Sequence, residues 1–236
     1  FGIATGAYAE FAAAKQSKLE QKPGNLSHEA AAVATISGIT ALQALVDVGG
    51  VEPEQSVLVI GASGGVGTYT VQLAKALGAS VSGVSSSAKT DLVRSLGADH
   101  VIDYGTDDYL DGSTRYDLIV DIGGRNPVRH LRKALTKHGS LVIVGGEGGG
   151  SLTGGIGRQL WAKLLSCFVS QRLTFFVSGE SQVHIERLTH FLASGDVVPM
   201  IGHRFRLDEV GQALRDMEAG RTRGKSVIVL DERGRS

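Results

Sequence analysis

Hydrophobic positions along the chain fall into two alternating patterns. Short β-branched runs without polar alternation, Val57-Leu-Val-Ile60 first among them, suit strands buried on both faces of a parallel sheet. Between them lie segments whose apolar residues recur every three or four positions, the spacing of a helix with one buried face. The first such segment carries Val66, Thr70, Leu73, Ala74 and Leu77 on one side and stops at Gly78. The alternation then repeats. Strands are expected at 81–84, 101–102, 118–120, 141–144 and 173–177, and helices at 91–96, 128–135 and around 159–165. Strands separated by helices describe βαβ units and a doubly wound parallel sheet, an α/β fold.

The two ends differ from this middle. Residues 1–36 are alanine-rich and weakly patterned. A short strand is expected at 7–12, a turn at Pro23-Gly24, and then an apolar helix whose start holds Ser27 and Glu29. Beyond Gly179 come an amphipathic helix at 183–193 and extended pieces at 197–199 and 203–207. A helix capped by Asp208 and running to Met217 follows, then a last strand at 226–230. These read as a return to the lobe that the first residues begin. The expected organisation is 1–36 in one lobe, 37–178 as the wound sheet, and 179–236 returning, which fits 236 residues at a prior of ~150 per domain. The opening Phe1-Gly-Ile-Ala lacks an initiator Met and any element start, so the natural chain is expected to extend before Phe1.

Composition narrows the chemistry by exclusion. Lys+Arg 24 against Asp+Glu 24 leaves no net charge, which argues against a nucleic-acid or anionic-membrane partner. The single cysteine, Cys167, allows no internal disulfide or multi-cysteine zinc site; it suits a reducing compartment, and a cytoplasmic location is expected. No unbroken apolar run approaches the ~18 residues of a membrane span, and nothing at Phe1 resembles a secretion signal. Glycine, at 33 of 236 residues, has roughly twice its usual share and clusters at strand ends.

The first wrapped strand ends in Gly61-Ala-Ser-Gly-Gly-Val-Gly67 and a helix follows, the setting in which a glycine fingerprint carries weight. Missing side chains at Gly61, Gly64, Gly65 and Gly67 let the N–H groups of the turn, those of Ser63 and Val66 included, approach a diphosphate. The helix N-terminus favours the anion, and the last glycine lets helix and strand pack closely. A glycine-rich turn that binds nothing is the alternative. An NAD site places Asp or Glu ~20 residues on, at the end of the second strand. Between Gly67 and Asp91 no acidic residue occurs. That strand instead ends Val84-Ser-Ser-Ser-Ala-Lys89, three hydroxyls and an ammonium, donors that suit one more phosphate. The expected cofactor is therefore NADP(H), with Ser85, Ser86 and Lys89 around its 2′-phosphate; a merely solvated turn is the alternative.

Other chemistries lack their residues. Gly220-Arg-Thr-Arg-Gly-Lys-Ser226 is one residue short of a P-loop and leads into a strand; no tyrosine stands four before a lysine, and no His-Glu-x-x-His pairing occurs. Cys167 lies in an apolar helical stretch and reads as core. A methyltransferase can share the first glycine loop and is the competing reading outside redox chemistry.

Several stretches, in order, resemble the medium-chain dehydrogenase/reductases. They are Gly6-Ala-Tyr-Ala-Glu-Phe11, Gly38-Ile-Thr-Ala41, the glycine turn with Gln72-Leu-Ala-Lys75, and Leu96-Gly-Ala-Asp-His-Val-Ile-Asp-Tyr104. Tyr116-Asp-Leu-Ile-Val-Asp121, Gly145-Gly146 and Arg223-Gly-Lys-Ser-Val-Ile-Val229 continue the series over essentially the whole chain. The zinc-independent quinone oxidoreductase branch is the most similar. The resemblance implies a Rossmann sheet plus a GroES-like β-barrel lobe, incomplete here because most of that lobe would precede Gly6. Zinc-dependent members carry a cysteine just before the segment matching Ser37-Gly38; residues 32–36 hold none, so no metal is expected.

The resemblance also implies site residues. Ser37 and Thr40 lie near the nicotinamide, Tyr104 near the adenine ribose, and Ile122 and Gly123 beneath the cofactor. Val144, Gly145, Gly146, Phe176 and Val177 present backbone groups on the nicotinamide side, and Lys225 approaches the phosphates. Thr40 has the alternative of bonding its own helix backbone, and Lys225 that of a surface charge. Family members pair edge strands of two sheets, so a homodimer through 173–177 is implied. The implied activity is hydride transfer from NADPH to a quinone, an enone or a related conjugated carbonyl, a small-molecule substrate. No side chain stands out as acid or base, and solvent would protonate the product. An NADP(H)-binding scaffold or sensor without turnover is the alternative from another class.

Overall fold

Strand β1 (Ser56–Ile60) is buried from Val57 onward, and its alternate residues feed two cores. Val57 and Val59 pack with Ile39, Leu42, Leu73 and Leu188 on one side of the sheet; Leu58 and Ile60 pack with Ile119, Leu131 and Leu141 on the other. A strand with helices on both faces needs an unbroken apolar run, which is what its sequence shows. The computed structural model describes residues 1–123, 126–144, 162, 164–166 and 169–230. In it β1 is central to six parallel strands, completed by β2 (Ser80–Ser85), β3 (His100–Asp103), β4 (Tyr116–Asp121), β5 (Leu135–Ile143) and β6 (Arg172–Phe175). Their order is β3-β2-β1-β4-β5-β6, the Rossmann order. The chain winds outward from β1 to β3 and then crosses to β4 on the other side of β1, creating a switch point between β1 and β4.

Helices bounded within the described residues are α1 (His28–Leu42), α2 (Gly67–Ala76), α3 (Thr90–Ser95), α4 (Val128–Lys133), α5 (Gln182–Ser194) and α6 (Val210–Glu218). Ser27 caps α1 by accepting the Ala30 N–H at 3.1 Å. Strands β7 (Ile201–Arg206) and β8 (Lys225–Val229) pair in parallel as a separate two-stranded sheet. Buried glutamines clamp irregular backbone to the helices. Gln43 donates to Gly179 O at 2.8 Å and accepts its N–H at 3.0 Å, while Gln72 does the same for Val198 at 3.1 and 2.8 Å.

Several boundaries differ from the sequence reading. No strand forms at 7–12; isolated bridges join Gly2 to Leu19 and Thr5 to Ala13. The helix expected to reach Leu135 stops at Lys133, because Leu135 already pairs with Tyr116 at the start of β5. Residues 197–199 form no strand. Asp208 is not a helix cap: it sits inside a 3-10 turn (Leu207–Glu209) and pairs with Arg206 at 3.1 Å, and α6 begins after it. The helix expected around 159–165 falls largely outside the described residues, with 162 and 164–166 helical.

One exclusion also needs correction. Residues 28–49 form a continuous helical stretch, its last part wound as a π-helix, with mean hydropathy 1.6 in its most apolar window; it is long and apolar enough to cross a bilayer by length and composition. Scattered polar residues hid this from a search for unbroken runs. In the fold 67% of that window is buried, with Ile39, Leu42 and Leu45 at most 1% exposed.

Two expected outcomes follow from this packing. A Cβ on Gly67 would lie 2.1 Å from the Gly61 carbonyl oxygen, so Gly67→Ala should lower the urea unfolding free energy by about 2 kcal/mol or more, as overpacking does. Asp99 and Asp117 anchor strand starts. Partial burial raises both carboxyls, but the Val81 N–H and Lys75 hold Asp99, and the Ser56 N–H and hydroxyl hold Asp117, below the ordinary value. Their stabilisation is present above that value and is lost as pH falls through the lowered one. Urea midpoints should therefore drop in acid, and Asp99→Asn should make the drop shallower.

Candidate functional site

The end of β1 hands the chain to a turn with almost no room for side chains. Gly61 has φ +87°, a left-handed conformation, and the crowding at Gly67 seats the start of α2 directly on the strand end. Ser63 is buried, yet its N–H and those of Gly65 and Val66 meet no acceptor among the described residues. Amide donors without an acceptor among the described residues, at the N-terminus of a ten-residue helix and with no Cβ at Gly64 or Gly65, fit an anion such as a diphosphate.

A cation reaches the same turn from far along the chain. The Gly224 N–H donates to Ser63 O at 2.9 Å, which brings Lys225 over Gly65; a Cβ there would lie 2.9 Å from Lys225 Cδ and 3.6 Å from Ser37 Oγ. Ser37 is buried in α1. The Lys225 side chain has no hydrogen bond or ion pair among the described residues, and burial holds its ammonium below the usual lysine value. Lys225 is thus no surface charge.

A cavity of about 720 Å³ opens beside the turn at the carboxyl ends of the strands. Gly61, Ser63, Ser85, Ser86, Lys89, Tyr104 and Gly123 line it, so these sequence-selected residues come together. Lys89 is anchored: its ammonium donates to Gly220 O at 2.9 Å and Thr222 O at 2.8 Å. Burial first, and the charge of Arg223 second, keep it below the ordinary lysine value.

Gly123 also serves the turn directly, and the other selected residues lie outside that lining or are engaged elsewhere. The Ile122 and Gly123 N–H groups both donate to Ile60 O, at 3.1 and 3.3 Å, and brace the strand end from below. The Val144 N–H is taken by Asp121 O at 3.0 Å. Thr40 has the helix-backbone alternative, donating to Ile36 O at 2.7 Å. Phe176 packs on the core, Val177 is 90% exposed, and both follow the end of β6 rather than lying in it. Gly145 and Gly146 lie outside the described residues.

Sequence reading missed the far wall. Asp107, Asp108, Tyr109 and Asn126 line it from the loops after β3 and β4, irregular stretches that carry no periodic signal. Asn126 donates to the Tyr109 hydroxyl at 2.9 Å, joining the two loops. Burial, with Asp121 and Asp108 nearby, raises the Tyr109 phenol against that hydrogen bond. β2 offers no carboxylate, as expected, but this wall brings two. Asp107 accepts the Asp103 N–H at 3.1 Å and Asp108 the Leu110 N–H at 3.2 Å, so both serve their own loop. Among the described residues no three or more His, Cys, Asp or Glu gather where they could hold a metal ion.

Known proteins share this fold. Residues 96–228 match the zinc-binding dehydrogenase family. A 2-methylene-furan-3-one reductase of Solanum lycopersicum is 33% identical over 227 residues, covering 94% of this chain and 52% of its own length. The quinone oxidoreductase of Coxiella burnetii superposes with TM-score 0.83 at 27% identity, over 96% of this chain and 70% of its own. A mycobacterial protein solved in complex with NADPH gives 0.80 at 28%, over 96% and 72%. The chain spans between 45% and 68% of the length of the curated relatives compared with it. The family match alone takes in more than half of the residues, and with the strand order and glycine turn it leads to one conclusion: the chain belongs to the zinc-binding dehydrogenase family, in the medium-chain dehydrogenase/reductase superfamily.

Proposed function

We propose that the chain binds NADP(H) at the glycine turn and works as a zinc-independent reductase of a quinone, an enone or a related conjugated carbonyl. The observation that carries this reading is the row of amides at Ser63, Gly65 and Val66 beside the Lys225 ammonium, none of which has a partner among the described residues, at the switch point of the sheet. That arrangement suits a diphosphate. Ser85, Ser86 and Lys89 stand where the adenine ribose of such a cofactor would lie, and β2 holds no carboxylate to repel a 2′-phosphate. Tyr104 lines the same part of the cavity.

When bound, the nicotinamide supplies the hydride. The chain's own part would be to hold and orient it: turn amides and Lys225 would hold the diphosphate, with buried Ser37 close to Gly65 on the same side. The acceptor class draws support from the relatives named above, one a reductase of a conjugated furanone and one a quinone oxidoreductase. Pairing of two copies through the free side of β6, an edge strand, belongs to the same reading.

Calorimetric titration should give NADPH at least about tenfold tighter binding than NADH, a difference of roughly 1.4 kcal/mol. NADPH absorbance should fall on adding a small benzoquinone or an alkyl vinyl ketone; binding without turnover would instead indicate the scaffold. Lys225→Met should weaken both coenzymes by about tenfold or more through the shared diphosphate. The same change removes a buried unpaired charge and should raise stability at neutral pH by about 1 kcal/mol. The wild type should regain stability as pH rises from the lowered Lys225 value toward 10.5, and the variant should lack that rise in urea midpoints.

A further inference from the structure

Most lysines of the chain are committed or exposed. Lys18 and Lys75 meet carboxylates, Lys22 and Lys89 meet backbone carbonyls, and Lys15 and Lys137 face solvent. Lys225 differs: it is partly buried, and its amine has no acceptor among the described residues. Burial holds it below the ordinary lysine value, which enlarges the uncharged, nucleophilic fraction. Its surroundings decide what that nucleophile can meet. A Cβ on Gly65 would lie 2.9 Å from Lys225 Cδ and 3.6 Å from its Nζ, so the side chain lies directly against the glycine turn. The N–H groups of Ser63, Gly65 and Val66 in that turn have no acceptor among the described residues either. Acyl transfer needs such a pairing: donors to hold the negative oxygens of an activated acyl group, and an amine beside them to receive the acyl.

We propose that Lys225 is a modification site, acylated by small acyl phosphates whose oxygens the turn amides hold while the amine attacks the carbonyl carbon. A bond forms from Lys225 Nζ to that carbon, and the carbonyl oxygen takes up the electron pair. On collapse the bond from carbon to the phosphate oxygen breaks, and phosphate leaves with its electron pair and the proton lost from nitrogen. The products are an uncharged lysine amide and inorganic phosphate, with nothing oxidised or reduced. The amide carries no positive charge and adds bulk against Gly65, so acylation should shut the turn to a diphosphate. That regulatory consequence for coenzyme binding rests on the nicotinamide reading above; the acylation itself does not.

The test incubates the whole chain with acetyl phosphate and follows each lysine by peptide mass spectrometry, with acetic anhydride as a reagent that lacks a phosphoryl group. Acetyl phosphate should modify Lys225 at least about tenfold faster than exposed Lys15, because the reagent is held as well as attacked. Acetic anhydride should reverse that order, and inorganic pyrophosphate should slow the acetyl phosphate reaction at Lys225 alone. Acetylation of Lys225 no faster than of Lys15 would overturn the proposal. So would the same preference with acetic anhydride, or a preference that pyrophosphate leaves unchanged. The acetylated chain should bind NADPH at least about tenfold more weakly than the unmodified chain, and equal binding would overturn the regulatory consequence. Selective acetylation of a chain that binds no NADPH would overturn the nicotinamide reading alone; NADPH binding without selective acetylation would overturn this inference alone.

Discussion

Helix α2 begins so close to the end of β1 that no side chain fits between Gly67 and the Gly61 carbonyl, and the arrangement of the site depends on that approach. Had a Cβ intervened, the helix would start farther out and its first amides would face neither the strand end nor the cavity. Because it does not, Ser63, Gly65 and Val66 present open N–H groups at the place where the chain leaves one side of β1 for the other. Ile122 and Gly123 brace Ile60 from β4, and Gly224 holds Ser63 from the strap before β8. Two distant segments therefore converge on one turn.

Charge is distributed to match. The chain is formally neutral, and most of its ionic contacts join opposite charges on the surface, as Lys75 with Asp99, Arg187 with Asp47 and Arg204 with Glu29 do. Lys89, Arg223 and Lys225 depart from this pattern around the turn: none has an ion pair among the described residues, and partial burial works against the charge of Lys89 and Lys225. Groups that weaken a fold in one confined place commonly mark where a ligand is accommodated. The buried glutamines oppose this tendency to loosen: Gln43 fixes the chain beyond β6, and Gln72 fixes the approach to β7.

Sequence alone determined the parts governed by local rules. An unbroken apolar run between helical periods requires a strand covered on both faces, so β1, β2, β4 and the helices between them were legible, as was the sheet they build. A strand–turn–helix with glycines where a Cβ cannot stand picked out the turn after β1, and the missing acid on β2 with Ser85, Ser86 and Lys89 came from reading twenty residues onward. Only the tertiary structure decided what depends on pairs remote in the chain. It ended α4 early because Leu135 had a strand partner, buried an apolar helix long enough for a bilayer, and turned the Thr40 hydroxyl onto Ile36. It also brought Arg223 to Ala88 and Asp107, Asp108 and Tyr109 to the cavity wall. Periodicity records which face of an element is covered; which remote turn supplies a charge or a wall is set by how the loops close, and no local pattern encodes that closure.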